Sequence, residues 1–438
     1  MGRIWTRIGL FFLGLLLCTS CTSRQSLYLK DFDALYDTVE KEYILGFTEE
    51  AKTWLGRREE FRQEIGDCRN DDEFLSKMDE ILSRLGPSTH TKMITKKNYP
   101  MVYANMALAS LEMDERSSMF VQWDVFQDFL SEDTRKLYGE GSGESSAQAS
   151  IHEGFDTEEN ASEEWRASAL YGRMLIDGKI GFLRLDVMKE PGAEAEGRYK
   201  KDLEELSAFA KTLRGSQALV IDIRDNPGGS DTYWLTCVLP EILGEGELVA
   251  PNHTLLREDW VRRCEKEHSP RISTANTTSL SEVSTQEFPA LKTLREKGLG
   301  GEFRVNGGGE ALVSPYTLKP WEEVEPFEGR IYLLVNRNTA SSALHMAQVM
   351  KAAGCATLVG EPVGGSSDWY EFYRLPHTGY FYILANKEKV MQGDSLEDLV
   401  HLRPDVMVED GRRVVWVDDH FRRDPSIRKV LQLEGLSR

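Results

Sequence analysis

Positive charge is scarce in this chain. Against 72 aspartates and glutamates stand 53 lysines and arginines, a net charge of −19. A surface of that sign does not attract phosphate, which excludes DNA or RNA as the main partner. The apolar stretch near the N-terminus, "IGLFFLGLLLC", falls short of the about 20 residues that a bilayer-crossing helix needs. Cysteines number only six. Cys264 and His268 have helical metal-ligand spacing, but no second pair accompanies them, so no metal site is expected. The G-x-S-x-G pattern is absent, which rules out the familiar hydrolase elbow. No internal repeat appears, so a solenoid is not expected.

What is present begins at the N-terminus. Arg3 and Arg7 precede the short apolar run, and "TSCTS" follows it. This fits a signal peptide over residues 1–21, with Cys21 as a lipidated residue; ordinary cleavage without a lipid is the plainer alternative. The expectation is an exported chain, lipid-anchored to the outer face of a bacterial envelope membrane. If Cys18 leaves with the signal and Cys21 is acylated, Cys68, Cys237, Cys264 and Cys355 remain. Export permits disulfides, but the wide, irregular spacings assign no pairing.

At 438 residues the chain has room for about two or three domains. Residues 22–100 read as a small helical domain. In "DEFLSKMDEILSRLG", Phe74, Leu75, Met78, Ile81, Leu82 and Leu85 fall on one helical face, with Asp71 and Asp72 at its start and Gly86-Pro87 at its end. Residues 101–165 form an intermediate region that ends in a Gly-, Ser- and Glu-rich linker. From 166 to 438 the pattern is α/β. "KIGFLRLDV", "ALVIDIR", "RIYLLVN" and "CATLVG" are apolar, β-rich runs, and helical stretches separate them. That alternation predicts a largely parallel sheet with ligands at the carboxyl ends of its strands. A polar insertion over 251–325 interrupts it.

Two strand ends carry the chemistry. "ALVIDIRDNPGG" runs into Gly228-Gly229, where the backbone turns sharply and N–H groups come close to a ligand; read alone, this is a tight turn. "RIYLLVNRNTASSALHM" leads from a strand into a helix at Ser341. A hydroxyl there sits at the positive end of a helix dipole, and the Ser342 N–H points the same way. Read alone, Ser341 is a cap. A nucleophilic serine also needs a base. His90 lies in "LGPSTHTKM", His345 one turn along from Ser341, and His401 in "LEDLVHLRPDV".

Taken in order, "IDIRDNPGG", "VNRNTASSALHMAQVMK", "ATLVGEPVGG" and "RPDV" resemble the tail-specific and tricorn-like serine peptidases. The opening "DFDALYDTVEKEY" through "LSRLGPSTHT" is similar to the helical part of the tricorn-like branch. The resemblance implies a crotonase/ClpP-like α/β catalytic domain that hydrolyses peptide bonds of exported proteins or peptides, without metal or organic cofactor. It implies Ser341 as nucleophile, and Ser342 N–H with the Gly228-Gly229 turn as oxyanion hole. No lysine follows the "GEPVGG" turn, so the Ser-Lys branch does not fit. Thr89-His90-Thr91 matches the branch that uses a histidine base, with Glu397 and Asp398 as the carboxylates ahead of Pro404-Asp405. The chain departs from the family at Leu344, where Glu is usual, and in the "DLVHLR" lead-in to that pair. Those departures support the alternative, a surface-anchored, peptide-binding pseudopeptidase without turnover.

Overall fold

The computed structural model describes residues 24–86, 90–110, 122–139, 170–189, 195–267, 276–313, 315–364, 369–414 and 418–436. Cys21 and Thr89 therefore lie outside the described residues. Two compact units emerge. One gathers Met1–Ala149, Arg257–Ser273 and Trp369–Lys387; the other gathers Ser150–Leu256, Thr274–Asp368 and Glu388–Arg438.

Helices dominate the first unit: α1 (24–42), α2 (Glu49–Leu55), α3 (Arg58–Gly66) and α4 (Asp71–Ser83). The start of α4 shows why it forms there. Asn70 accepts from the Glu73 N–H at 2.9 Å, and the Glu73 carboxylate accepts from the Arg69 N–H at 2.9 Å, a reciprocal cap. The apolar face expected of this helix is buried, with Phe74 stacked on Tyr28 at 4.4 Å between centroids. The indole of Trp54 donates to the Ile81 carbonyl at 2.8 Å, tying α2 to α4. The unit also holds antiparallel pairing of Trp369–Arg374 with residues 381–387, in which Phe372 faces Ile383, and Lys92–Met93 pairs on the other side.

The second unit is built on a six-stranded sheet: β1 (Leu170–Ile176), β2 (Ile180–Leu185), β3 (Ala218–Asp222), β4 (Arg330–Val335), β5 (Thr357–Gly360) and β6 (Val406–Met407). Their order in the sheet is their order in the chain. β2 to β6 are mutually parallel, and β1 joins β2 as an antiparallel hairpin. The α/β arrangement is the one expected.

Strands covered on both faces read as continuous apolar runs. Leu219, Ile221, Ile331, Leu333 and Val335 enter one core with α5 (Ala195–Thr212) and α6 (Ser341–Ala352). The alternate residues Ala218, Val220, Tyr332 and Leu334 enter a second core, with Ile427, Val430 and Leu431 of α7 (Pro425–Leu433).

A buried ion cluster fixes the exit of β3. The Arg224 guanidinium lies between Asp222 (2.9 and 2.7 Å) and Asp424 (3.1 and 2.8 Å), and all three side chains are fully buried. Burial alone would favour the neutral guanidine; the two carboxylates outweigh it and hold the cation. Asp424 also caps α7 by accepting from the Ser426 and Ile427 N–H groups. Arg413 donates to Asp186 at 2.5 Å and to the Arg224 carbonyl.

Candidate active site

β3 and β4 are parallel neighbours with Leu334 level with Asp222, so the turns that leave them emerge side by side. Side chains stitch the two turns together. Asp225 accepts from Asn336 and Asn338 amides at 2.8 Å each, and the Asp225 N–H donates to Asn336 Oδ1 at 3.0 Å. Thr339 Oγ1 donates to the Ile223 carbonyl at 3.1 Å, and Ala340 N–H to the Asn226 carbonyl at 3.0 Å. Asp225 and Ser341, with φ of 60° and 51°, are the two non-glycine residues with positive φ among the described residues. A left-handed conformation costs such residues about 1–3 kcal/mol, and the stitching holds them there.

Ser341 opens α6 and is half-buried, while the rest of that helix's first ten residues are buried. Ala340, the residue before it, is extended (φ −146°) and contributes no side-chain cap. Ser341 is therefore the first residue of the helix rather than its cap, and its backbone there is left-handed. Gly228 presses against it. A Cβ at Gly228 would stand 2.6 Å from Ser341 Cβ and 2.8 Å from both the Ala340 carbonyl and the Ser342 nitrogen. The turn's own bonds sort the oxyanion donors. Gly228 N–H donates to Asn226 Oδ1 at 2.9 Å, and the glycine lets the turn approach Ser341 closely. No acceptor among the described residues meets the N–H of Gly229 or Ser342. Gly229 is itself fixed by Met188, whose carbonyl oxygen would lie 1.7 Å from an added Cβ.

Next to this turn sits a charged cluster. Asp231 Oδ2 lies 2.7 Å from His345 Nδ1, and Lys389 Nζ lies 2.9 Å from His345 Nε2. A carboxylate accepts and an ammonium donates, so Nδ1 carries the proton and Nε2 the lone pair. His345 is buried; burial first, and the neighbouring Lys389, keep it neutral against the pull of Asp231. Burial works to raise the Asp231 carboxyl, but the imidazole, the Ser342 hydroxyl and Lys389 outweigh it and keep the carboxylate ionised. Burial also lowers Lys389, more than Asp231 and Glu388 raise it, so this amine gives up its proton more readily than an ordinary lysine. Trp234 Nε1 is shared by Asp231 Oδ1 and Ser342 Oγ, at 3.1 Å each. A π turn over Trp234–Val238 presents that indole, a distortion common at functional sites. Chemically, the arrangement offers a half-buried alcohol, two N–H donors and an acid–imidazole–amine chain whose imidazole is buried.

The sequence profile of peptidase family S41 matches residues 179–408, more than half of the chain. The chain belongs to peptidase family S41. No curated protein matches it. Solved structures similar to this S41 chain include mature CPAF complexed with lactacystin, 12% identical over 94% of this chain and 98% of that one, at a TM-score of 0.49. The photosystem II D1 C-terminal processing protease is 13% identical over 88% and 93%, at 0.38. A lipoprotein from Streptococcus agalactiae is 11% identical over 88% and 93%, at 0.37. As a member of S41 the protein is a peptidase.

The remaining expected residues fall as follows. His90 belongs to the first unit, its ring 5.1 Å from that of Tyr370. Asp398 accepts from Ser395 N–H and Oγ (2.8 and 2.6 Å) and from Arg403 N–H (2.9 Å). Glu397 is 65% exposed and pairs with Arg403. These bonds hold the 395–403 turn, and no imidazole is among the described partners of either carboxylate. Asp405 accepts from the Leu358 N–H at 2.9 Å, a structural role at the start of β5. Leu344 is buried in the apolar core, while His345 beside it joins the charged cluster. Sequence reading missed Asp231 and Lys389. An acid at a helix start just past twin glycines was the available signal for Asp231; Lys389 sits in the charged stretch Lys387–Lys389 of its strand, where nothing in the sequence sets it apart.

Proposed function

We propose that this S41 chain is a serine peptidase in which the Ser341 hydroxyl attacks a peptide carbonyl. A base takes its proton and returns it to the leaving amine, and water then releases the acyl-enzyme. Ser342 and Gly229 N–H groups receive the developing oxyanion, each donor worth about 3 kcal/mol of barrier. The observation that carries this reading is the left-handed Ser341 held against Gly228 at the start of α6.

The family pattern assigns the base to His90, with Thr89 beside it, and that assignment rests on Thr-His-Thr alone. One observation favours a second reading: the Asp231–His345–Lys389 chain, whose amine burial holds below the ordinary lysine range. Peptide hydrolysis and labelling by a serine-directed phosphonate separate the two. Ser341→Ala abolishes both with the circular dichroism unchanged; residual turnover in that variant ends the proposal. Of His90→Ala and Lys389→Met, the variant that loses labelling while keeping its melting transition identifies the base.

The substrates are peptides or proteins outside the cytoplasm, since the reading includes export and acylation of Cys21. Arg3, Arg7, the short apolar run and "TSCTS" support it. No helix among the described residues is long and apolar enough to cross a membrane. Cys21→Ser moves the protein from the membrane fraction to the soluble fraction and removes palmitate labelling. Unchanged fractionation sinks the anchor.

A further inference from the structure

A cavity of about 330 Å³ opens at the carboxyl ends of β4, β5 and β6, where ligands of parallel sheets bind. Arg337 lies just past β4, Glu361 and Pro362 just past β5, and Met407 with Val408 at β6. Val335, Gly360 and Met407 stand level across the three strands. The Ser341 turn leaves the same edge, since Arg337 lies between β4 and Ser341, and Gly364 N–H donates to the Arg337 carbonyl at 3.1 Å. Neighbouring strands are about 4.8 Å apart, so β6 is about 10 Å from β4, and an extended peptide covers that in about three residues.

The charges in the cavity sort themselves. Arg337 and Glu361 are paired at 3.1 and 3.3 Å, and Glu361 also accepts from Gly411 N–H at 3.0 Å. Glu409 is exposed and has no cationic partner among the described residues. Met407 is 55% exposed, and with Pro362 and Val408 it offers apolar wall. An apolar flank of Pro362, Met407 and Val408, beside one carboxylate without a cationic partner in a rim shared with His401 and the paired Arg337, suits a long side chain that has an aliphatic stem and a cationic head.

Building on the serine-peptidase reading, we propose that this cavity is a substrate subsite for a lysine or arginine side chain within about three residues of the bond cut at Ser341. The test uses the full chain. A peptide library digested and read by mass spectrometry shows Lys and Arg enriched at one fixed position near the cleaved bond. Two matched peptides, with lysine or norleucine at that position, then differ at least tenfold in kcat/KM. In Glu409→Gln the ratio collapses toward one while the norleucine value stays. Absence of enrichment, or a ratio unmoved by Glu409→Gln, overturns the subsite. If no peptide is cleaved, the peptidase reading falls instead. The subsite is then decided by calorimetric binding of peptides with a central lysine or norleucine to the Ser341→Ala chain, where equal affinities overturn it.

Discussion

Ser341 and Gly228 constrain each other at the level of single atoms. The nucleophile position needs a left-handed serine, and the approach of the neighbouring turn needs a residue without Cβ. Gly228→Ala places a methyl 2.6–2.8 Å from Ser341 Cβ and from backbone atoms, at a φ of 96° that L-residues avoid. The expected loss of stability is about 1–3 kcal/mol, and phosphonate labelling falls at least a hundredfold. A denaturant midpoint and labelling rate equal to the parent would refute this. Read alone these residues were a cap and a tight turn; the order of the four motifs, through the family resemblance, singled them out. The stitching by Asp225, Asn336 and Asn338 was not legible, because it joins residues over a hundred positions apart through side-chain bonds. Leu344 shows the same limit. In sequence it stands as a loss from the family pattern, whereas in space it fills the core under α6.

Among the elements, the parallel strands were readable because burial on both faces leaves an unbroken apolar run. β1 carries Arg173 and is largely half-buried, and β6 is two residues long, so neither has such a run. The C-terminal α7 matters to the site through its cap. Asp424 holds the helix start and one side of Arg224, and Arg224 precedes the Asp225–Gly229 turn. Asp424→Asn keeps the shape and removes one of the two charges around a fully buried guanidinium. Breaking one partner from such a pair costs about 3–5 kcal/mol. The urea midpoint should fall accordingly, and hydrogen exchange at Asp225–Gly229 should rise. A midpoint within experimental error of the parent would show that Asp222 alone satisfies Arg224.

For the whole molecule, no shift in composition announces that Arg257–Ser273 and Trp369–Lys387 belong with the helical unit. Membership is set by packing partners far away in the chain, which local patterns do not encode. The −19 charge was legible and bears on how stability varies with pH. Repulsion among surface carboxylates grows as they ionise, and salt screens it. A second contribution is buried. Asp394 is 6% exposed and accepts from the Met391 N–H at 2.8 Å. Burial foremost raises its pKa to about 7, with help from Asp398 and against the opposing pull of that hydrogen bond and of Lys351. An unfolded aspartate releases its proton near pH 4. Between about pH 4 and 7 the folded chain therefore binds the extra proton, so stability falls as pH rises through that window and levels off above it. The ceiling is about 4 kcal/mol at pH 8. Asn at this position keeps the acceptor for Met391 and carries no charge. In 0.5 M salt, where surface repulsion is screened, Asp394→Asn should gain on the parent from pH 5 to about pH 7 and hold that gain to pH 8, read as the difference in urea midpoints. If the two chains keep a constant difference across that range, the pH dependence belongs to the surface charge and Asp394 has no part in it.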